Sequence, residues 1–77
     1  MAVGYVLINV KPGLELQAFE TIKAMDCITD VDLLFGDYDI IVKIVADNLG
    51  MIAKIVVDNI RQVDGVDNTK TLAGAEV

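Results

Sequence analysis

A short polar turn near the middle of the chain holds the residues best suited to bind a small molecule. The segment Gly36-Asp37-Tyr38-Asp39 separates two apolar runs, and Gly36 can expose backbone N–H groups to a ligand carboxylate. The carboxylates of Asp37 and Asp39 could hold an ammonium group through charge-assisted hydrogen bonds. Together these groups would suit a free amino acid, which carries both charges. An ordinary polar hairpin turn explains the same residues, because glycine and aspartate favour turns for backbone reasons.

Two threonines near the end of the chain form a second candidate. Thr69 and Thr71 are two residues apart on a predicted strand, so their hydroxyls share one face about 7 Å apart. Such a pair could hold a carboxylate or a backbone amide. The alternative is a β-branched pair on a half-exposed strand, where threonine is common for packing reasons.

Catalytic and metal-binding chemistry has little support in the sequence. The chain has no histidine and no serine, and Cys27 is its only cysteine. A catalytic cysteine needs a base, while disulfides and zinc sites need further cysteines or histidines. We therefore predict no enzymatic activity, no cofactor and no metal.

Charge and length restrict the partners. The chain has 77 residues, with 12 acidic and 6 basic side chains and a net charge of −6. The cations are scattered, whereas a nucleic-acid-binding domain usually carries a basic patch, so we expect no direct binding to nucleic acid. The apolar start, residues 2–10, lacks a basic leader and is too short to span a bilayer, which argues against a membrane partner. One unpaired cysteine fits a reducing cytoplasm.

Hydrophobic periodicity predicts four strands and two helices. The strands cover residues 2–10, 28–35, 38–46 and 66–73, and the helices cover residues 14–26 and 48–63. Gly36-Asp37 is predicted to form a tight two-residue hairpin between the second and third strands. Asp47-Asn48 is predicted to cap the second helix and Gly65 to end it. Its predicted buried stripe comprises Leu49, Ile52, Ala53, Val56, Ile60 and Val63.

This order of elements predicts an α+β fold, the ferredoxin-like βαββαβ plait. In that fold both helices cover one face of a four-stranded antiparallel sheet. The first and third predicted strands are apolar on both faces, so the second sheet face should remain apolar as well. An exposed apolar face marks an interface, and we expect two copies to pair through it as a dimer.

The chain resembles the RAM module (regulation of amino acid metabolism), the C-terminal effector-binding domain of Lrp/AsnC transcriptional regulators. The resemblance covers nearly all of residues 1–77 and rests on three segments. They are the apolar strand Ala2–Val10, the Gly36-Asp37-Tyr38-Asp39 turn with Ile40-Ile41-Val42-Lys43, and the closing Gly65-Val66-Asp67-Asn68-Thr69-Lys70-Thr71. Full-length members begin with a helix-turn-helix domain, which this sequence lacks, so it resembles a single-domain, stand-alone RAM protein.

The resemblance implies dimers paired sheet to sheet that assemble into rings, commonly octamers built as tetramers of dimers. It implies free amino acids as effectors, bound between dimers, and a role in transcriptional regulation without DNA binding of its own. The implied ligand-binding residues are Gly36, Asp37, Tyr38, Asp39, Thr69 and Thr71. The alternative is a purely structural module that joins full-length Lrp/AsnC regulators without binding ligand. A small enzyme on the same fold is a third hypothesis, weakened by the absence of a nucleophile–base pair.

Overall fold

The computed structural model describes residues 1–75, in which strands and helices follow the predicted βαββαβ order. The elements are β1 (Ala2–Val10), α1 (Glu15–Lys23), β2 (Asp30–Leu33), β3 (Ile40–Ala46), α2 (Leu49–Asp58), a 3₁₀ helix (Ile60–Gln62) and β4 (Val66–Ala73). The strands form one antiparallel sheet in the order β2-β3-β1-β4. The predicted ferredoxin-like α+β fold is therefore confirmed. Neither helix in this part of the chain has the length and apolar run needed to cross a membrane.

The sheet packs its core on the side that carries the helices. β1 and β3 form the centre, paired from Ala2 opposite Ala46 to Ile8 opposite Ile40. Because side chains alternate along a strand, every second residue of these strands points at the helices. The buried core is aliphatic throughout and comprises Val6, Ile8, Val10, Ala18, Ile22, Ile40, Val42, Ile44, Ile52, Val56, Ile60 and Val63.

The second predicted helix is interrupted near its end. Asn48 caps α2 as predicted, since its side-chain oxygen accepts the Met51 N–H at 2.9 Å. α2 ends at Asp58, and the chain continues as a 3₁₀ turn. The predicted buried stripe is confirmed at Ile52, Val56, Ile60 and Val63, whereas Leu49 is 53% exposed and Ala53 is exposed as well.

The predicted two-residue hairpin at Gly36-Asp37 is wrong. β2 ends at Leu33, β3 begins at Ile40, and the Leu34 N–H donates to the Asp39 carbonyl at 2.8 Å around a four-residue loop. Asp39 also bonds to β1, through its own N–H and its carboxylate, so the chain turns only beyond Leu34 and Asp39. The positive φ predicted at Gly36 is present, at +119°.

The sheet face away from the helices, here called the open face, carries both apolar and polar side chains. Its apolar side chains are Val3, Tyr5, Leu7, Ile41, Val45 and Leu72. Its polar side chains are Asn9, Asp30, Asp32, Lys43, Asn68 and Lys70. Tyr5 is 37% exposed and Leu72 is 44% exposed. The apolar residues expected on this face of β1 and β3 are present, but Asn9 and Lys43 interrupt them.

Candidate functional site

The Gly36–Asp39 turn is attached to the end of β1. The Asp39 N–H donates to the Ile8 carbonyl at 2.9 Å. One carboxylate oxygen of Asp39 accepts the Val10 N–H at 2.7 Å. Two backbone groups of β1, the Ile8 carbonyl and the Val10 N–H, therefore hold Asp39 in place. One of its two carboxylate oxygens already accepts a hydrogen bond.

A third attachment comes from Asn9, which the sequence reasoning did not select. Its side-chain amide donates to the Asp37 carbonyl at 2.7 Å, and its side-chain oxygen accepts a longer bond from the Asn68 amide at 3.4 Å. An amide side chain inside the apolar run Ala2–Val10 was the available signal. Asn9 fixes the turn from the open face, so the sheet and the turn are mechanically connected.

A cavity beside the turn combines acidic and apolar groups. It has a volume of about 230 Å³ and is lined by Glu15, Leu33, Leu34, Phe35 and Asp39. Two carboxylates offer partners for an ammonium group, and three apolar side chains offer contacts to a hydrocarbon group. Phe35 is fully exposed, an unusual position for so large an apolar side chain in a single chain. The arrangement suits a small amphiphilic cation or zwitterion.

The threonines lie elsewhere within the same chain. Thr69 is opposite Ile8 and Thr71 is opposite Val6, so both point to the helix side, and the shared face that their spacing predicted is confirmed. β1 separates β4 from β3, which places them two strand spacings, or about 10 Å, from the strand that follows the turn. A single chain therefore does not bring the two predicted halves of the site together. Thr69 is half-buried, and Thr71 is exposed.

The described residues contain no cluster of metal-binding side chains. Within residues 1–75, no three histidine, cysteine, aspartate or glutamate side chains are grouped so that they could hold a metal ion. The site is thus described by hydrogen-bonding groups, carboxylates and apolar walls.

Comparison with known proteins now identifies the family. The model of the Lrp/AsnC ligand-binding domain matches residues 3–73. The chain belongs to this family. The resemblance inferred from the turn and the closing strand is confirmed, and the Lrp/AsnC ligand-binding domain is a regulatory family and not an enzyme family. No curated protein matches the chain.

Solved structures of Lrp/AsnC proteins share the fold over nearly the full chain. FFRP-DM1 is 25% identical with a TM-score of 0.89, and the match covers 97% of this chain and 100% of FFRP-DM1. AsnC of E. coli is 18% identical with a TM-score of 0.89, covering 99% of this chain and 52% of AsnC. The Neisseria meningitidis transcriptional regulator NMB0573, in complex with L-Met, is 10% identical with a TM-score of 0.84, covering 97% of this chain and 50% of that protein. The two regulators show similarity of fold, and this chain spans about half of each.

Proposed function

We propose that this Lrp/AsnC domain binds a free amino acid and acts as an effector-sensing module in the transcriptional regulation of amino acid metabolism. The observation that carries the proposal is the match of residues 3–73 to a ligand-binding domain. The Neisseria regulator of the same fold, solved with L-Met, supports an amino acid as the class of ligand.

The turn cavity supplies matching chemistry. The second carboxylate oxygen of Asp39 and the carboxylate of Glu15, both lining residues, would bind the ligand ammonium group. Gly36 does not line the cavity, but the backbone of the adjoining turn around it would bind the ligand carboxylate. Leu33 and Phe35 would contact an apolar ligand side chain. Asp37 and Tyr38 complete the proposed site.

Assembly of several copies is the second part of the proposal. Two copies would pair through their open faces, which would bury the apolar side chains of those faces. Dimers would then assemble into a ring, an octamer in the commonest family arrangement. Thr69 and Thr71 would complete the ligand site from a neighbouring copy, because one chain holds them apart from its own turn.

The regulatory mechanism follows from differential affinity. A ligand bound between copies stabilises whichever assembly binds it more tightly, by the difference in binding free energy between the two assemblies. The output would be a change of assembly, or of association with a full-length Lrp/AsnC regulator that presents the same open face. The acidic chain, at net charge −6, would reach DNA only through such a regulator. The unpaired Cys27 supports a cytoplasmic setting.

Light scattering combined with thermal unfolding tests the proposal. Mass and melting temperature are measured alone and with each common amino acid in turn. Binding to the native state raises the melting temperature by mass action, so we expect stabilisation by one chemical class of amino acid. An assembly of fixed mass and fixed stability under every amino acid would contradict it.

A purely structural module is the second candidate. The bond between the Asp39 carboxylate and the Val10 N–H favours it, because this bond gives the aspartate a structural role that needs no ligand. Under this hypothesis the chain joins full-length Lrp/AsnC regulators through the open face. Calorimetry separates the two candidates: capture of such a regulator without heat from any amino acid would favour the structural module.

A further inference from the structure

One row of side chains crosses the whole open face from edge to edge. Strand pairing places Asp32 opposite Ile41, Ile41 opposite Leu7, and Leu7 opposite Lys70. All four side chains project from the open face, so the row begins with an acid, continues with two apolar side chains and ends with a base. The two charged residues are exposed, and the two apolar residues are half-buried. We call these four residues the cross-face row.

The two charged ends of the cross-face row lie too far apart to pair with each other in one chain. Asp32 is on the edge strand β2 and Lys70 is on the edge strand β4, since the strand order is β2-β3-β1-β4. Three strand spacings, or about 14 Å, separate them. The β2 margin of the open face thus presents the negative charges of Asp30 and Asp32, and the β4 margin presents the positive charge of Lys70.

This difference in sign between the margins distinguishes the ways in which two open faces can meet. Packed sheets with aligned strands keep them within about 30° of each other, which leaves two orientations of a two-fold axis that overlay the faces completely. An axis parallel to the strands lays β2 of one copy over β4 of the other. An axis across the strands lays β2 over β2, so the aspartates of the two copies face each other. Like charges placed opposite each other across an interface are destabilising, so charge favours the first orientation.

We propose that two copies pair with β2 of each over β4 of the other, and that the cross-face row selects this orientation. Asp32 of one copy then lies over Lys70 of the second copy, and Ile41 lies over Leu7 of the second copy. Each contact occurs twice because of the two-fold symmetry. Face-to-face sheets are about 10 Å apart, a gap that an aspartate and a lysine side chain span together. The inference rests on the proposed function, and it adds an orientation and two ion pairs to the dimer proposed there.

The neighbouring row of the open face fits the same orientation. It contains Tyr5 on β1 opposite Lys43 on β3. The two-fold axis lays Lys43 over Tyr5 of the second copy, and an ammonium group above an aromatic ring is attracted to it. Asp30, at the β2 end of this row, is exposed and stays at the rim. The ion pairs thus lie at the margins of the interface, where charge determines register and partner more than affinity.

Charge reversal at the two ends of the cross-face row tests the orientation. Asp32→Lys alone, or Lys70→Asp alone, places like charges opposite each other in both symmetry-related contacts. We expect each variant to weaken dimer formation about tenfold or more in sedimentation equilibrium. Both substitutions in one chain reverse each pair without breaking it and should restore the affinity. The controls Glu20→Lys and Lys54→Asp make the same charge changes at exposed positions of α1 and α2, and should alter the affinity less than about twofold.

A mixture of the two single variants gives a second measurement and shows that each variant is folded. One copy of Asp32→Lys and one copy of Lys70→Asp present opposite charges at both margins. An equimolar mixture should therefore form mixed dimers in preference to dimers of either variant with itself. Native mass spectrometry identifies the mixed dimers, because the two variants differ in mass.

The possible results separate the orientation from the pairing itself. If both single variants dimerise as tightly as the unaltered protein while Tyr5→Lys does not dimerise, the orientation is wrong and pairing through the open face stands. Loss of dimers in the single variants without recovery in the double variant and in the mixture would also overturn the orientation. An unaltered protein that stays monomeric would overturn both the orientation and the pairing, whereas amino-acid binding is measured independently of either.

Discussion

Asp39 serves two purposes with one carboxylate. One oxygen accepts the Val10 N–H, and the residue also lines the turn cavity. Loss of a buried or half-buried acceptor leaves its donor unsatisfied, which costs about 1–3 kcal/mol. Loss of the charge alone affects a bound ammonium group without removing the backbone contact. Structure and ligand binding can therefore be separated at this position by the choice of substitution.

Asp39→Ala should lower the free energy of unfolding by about 1–3 kcal/mol, because the Val10 N–H loses its acceptor. Asp39→Asn keeps an amide oxygen there and should cost less than about 1 kcal/mol. Both variants should weaken amino-acid binding about 10-fold or more through the lost charge. Urea unfolding measures the first effect and calorimetry the second. Equal destabilisation by both substitutions would show that the charge, and not the acceptor, holds the turn.

Gly36 has a φ of +119°, where any side chain is strained even though a Cβ atom added there would meet nothing within 4 Å. Gly36→Ala should therefore cost about 1–3 kcal/mol through backbone strain. Gly13 is a matched control, since its φ is +91° and its surroundings are equally open. Both alanine variants should lose similar stability in urea, but only Gly36→Ala should weaken amino-acid binding, about tenfold. Equal affinity in the two variants would exclude the turn backbone from the site.

At the scale of elements, α2 approaches β1 closely because Gly4 has no side chain. A Cβ at Gly4 would lie 2.7 Å from Cγ2 of Ile52, which is itself buried. This contact joins the sheet to α2. Helix and strand are thus matched in shape at this point, and a larger residue in the strand would push the helix away.

Gly4→Ala should destabilise the fold by about 1–3 kcal/mol through overpacking against Ile52. Ile52→Ala alone should cost about 2–5 kcal/mol by leaving a cavity. The double variant should be more stable than the sum of the two losses, because the new methyl group then occupies part of that cavity. A double-mutant cycle in urea measures this coupling, and we expect about 0.5–3 kcal/mol. Strict additivity would mean that α2 shifts freely over the sheet.

At the scale of the whole molecule, charge and apolar surface are distributed unevenly. The open face carries two aspartates and two lysines, Asp30, Asp32, Lys43 and Lys70, and therefore no net charge. The chain as a whole carries −6. Apart from Glu76, which is outside the described residues, the excess negative charge lies on the other surfaces. Those surfaces repel like surfaces, whereas the open face is neutral and partly apolar and can meet a copy of itself. This distribution supports pairing through the open face.

Leu72→Lys should separate the proposed dimer, because it places a charge beside Tyr5 among the apolar side chains of the open face. Leu72 is already 44% exposed in the single chain, so the fold itself should tolerate the change. Leu16→Lys is the control, since Leu16 is 68% exposed on α1, on the opposite side of the sheet. At micromolar concentration, light scattering should show a smaller mass for Leu72→Lys and an unchanged mass for Leu16→Lys. An unchanged mass for both would place the interface elsewhere.

The sequence by itself determined the order of the elements, the ferredoxin-like plait and the family. The spacing of apolar residues along the chain distinguishes a strand from a helix. The βαββαβ order of elements then leaves few ways to cover the sheet. The Asn48 cap, the positive φ at Gly36 and the apolar second face follow from residue types and spacing in the same way.

Only the tertiary structure decided how the candidate site is divided. The width of the Gly36–Asp39 turn depends on bonds from β1, far earlier in the chain, which no local pattern reports. Strand order then inserts β1 between the turn and the threonines. Local spacing determines which face a residue takes, but contacts between distant segments determine which residues meet, because they depend on the packing of the whole chain.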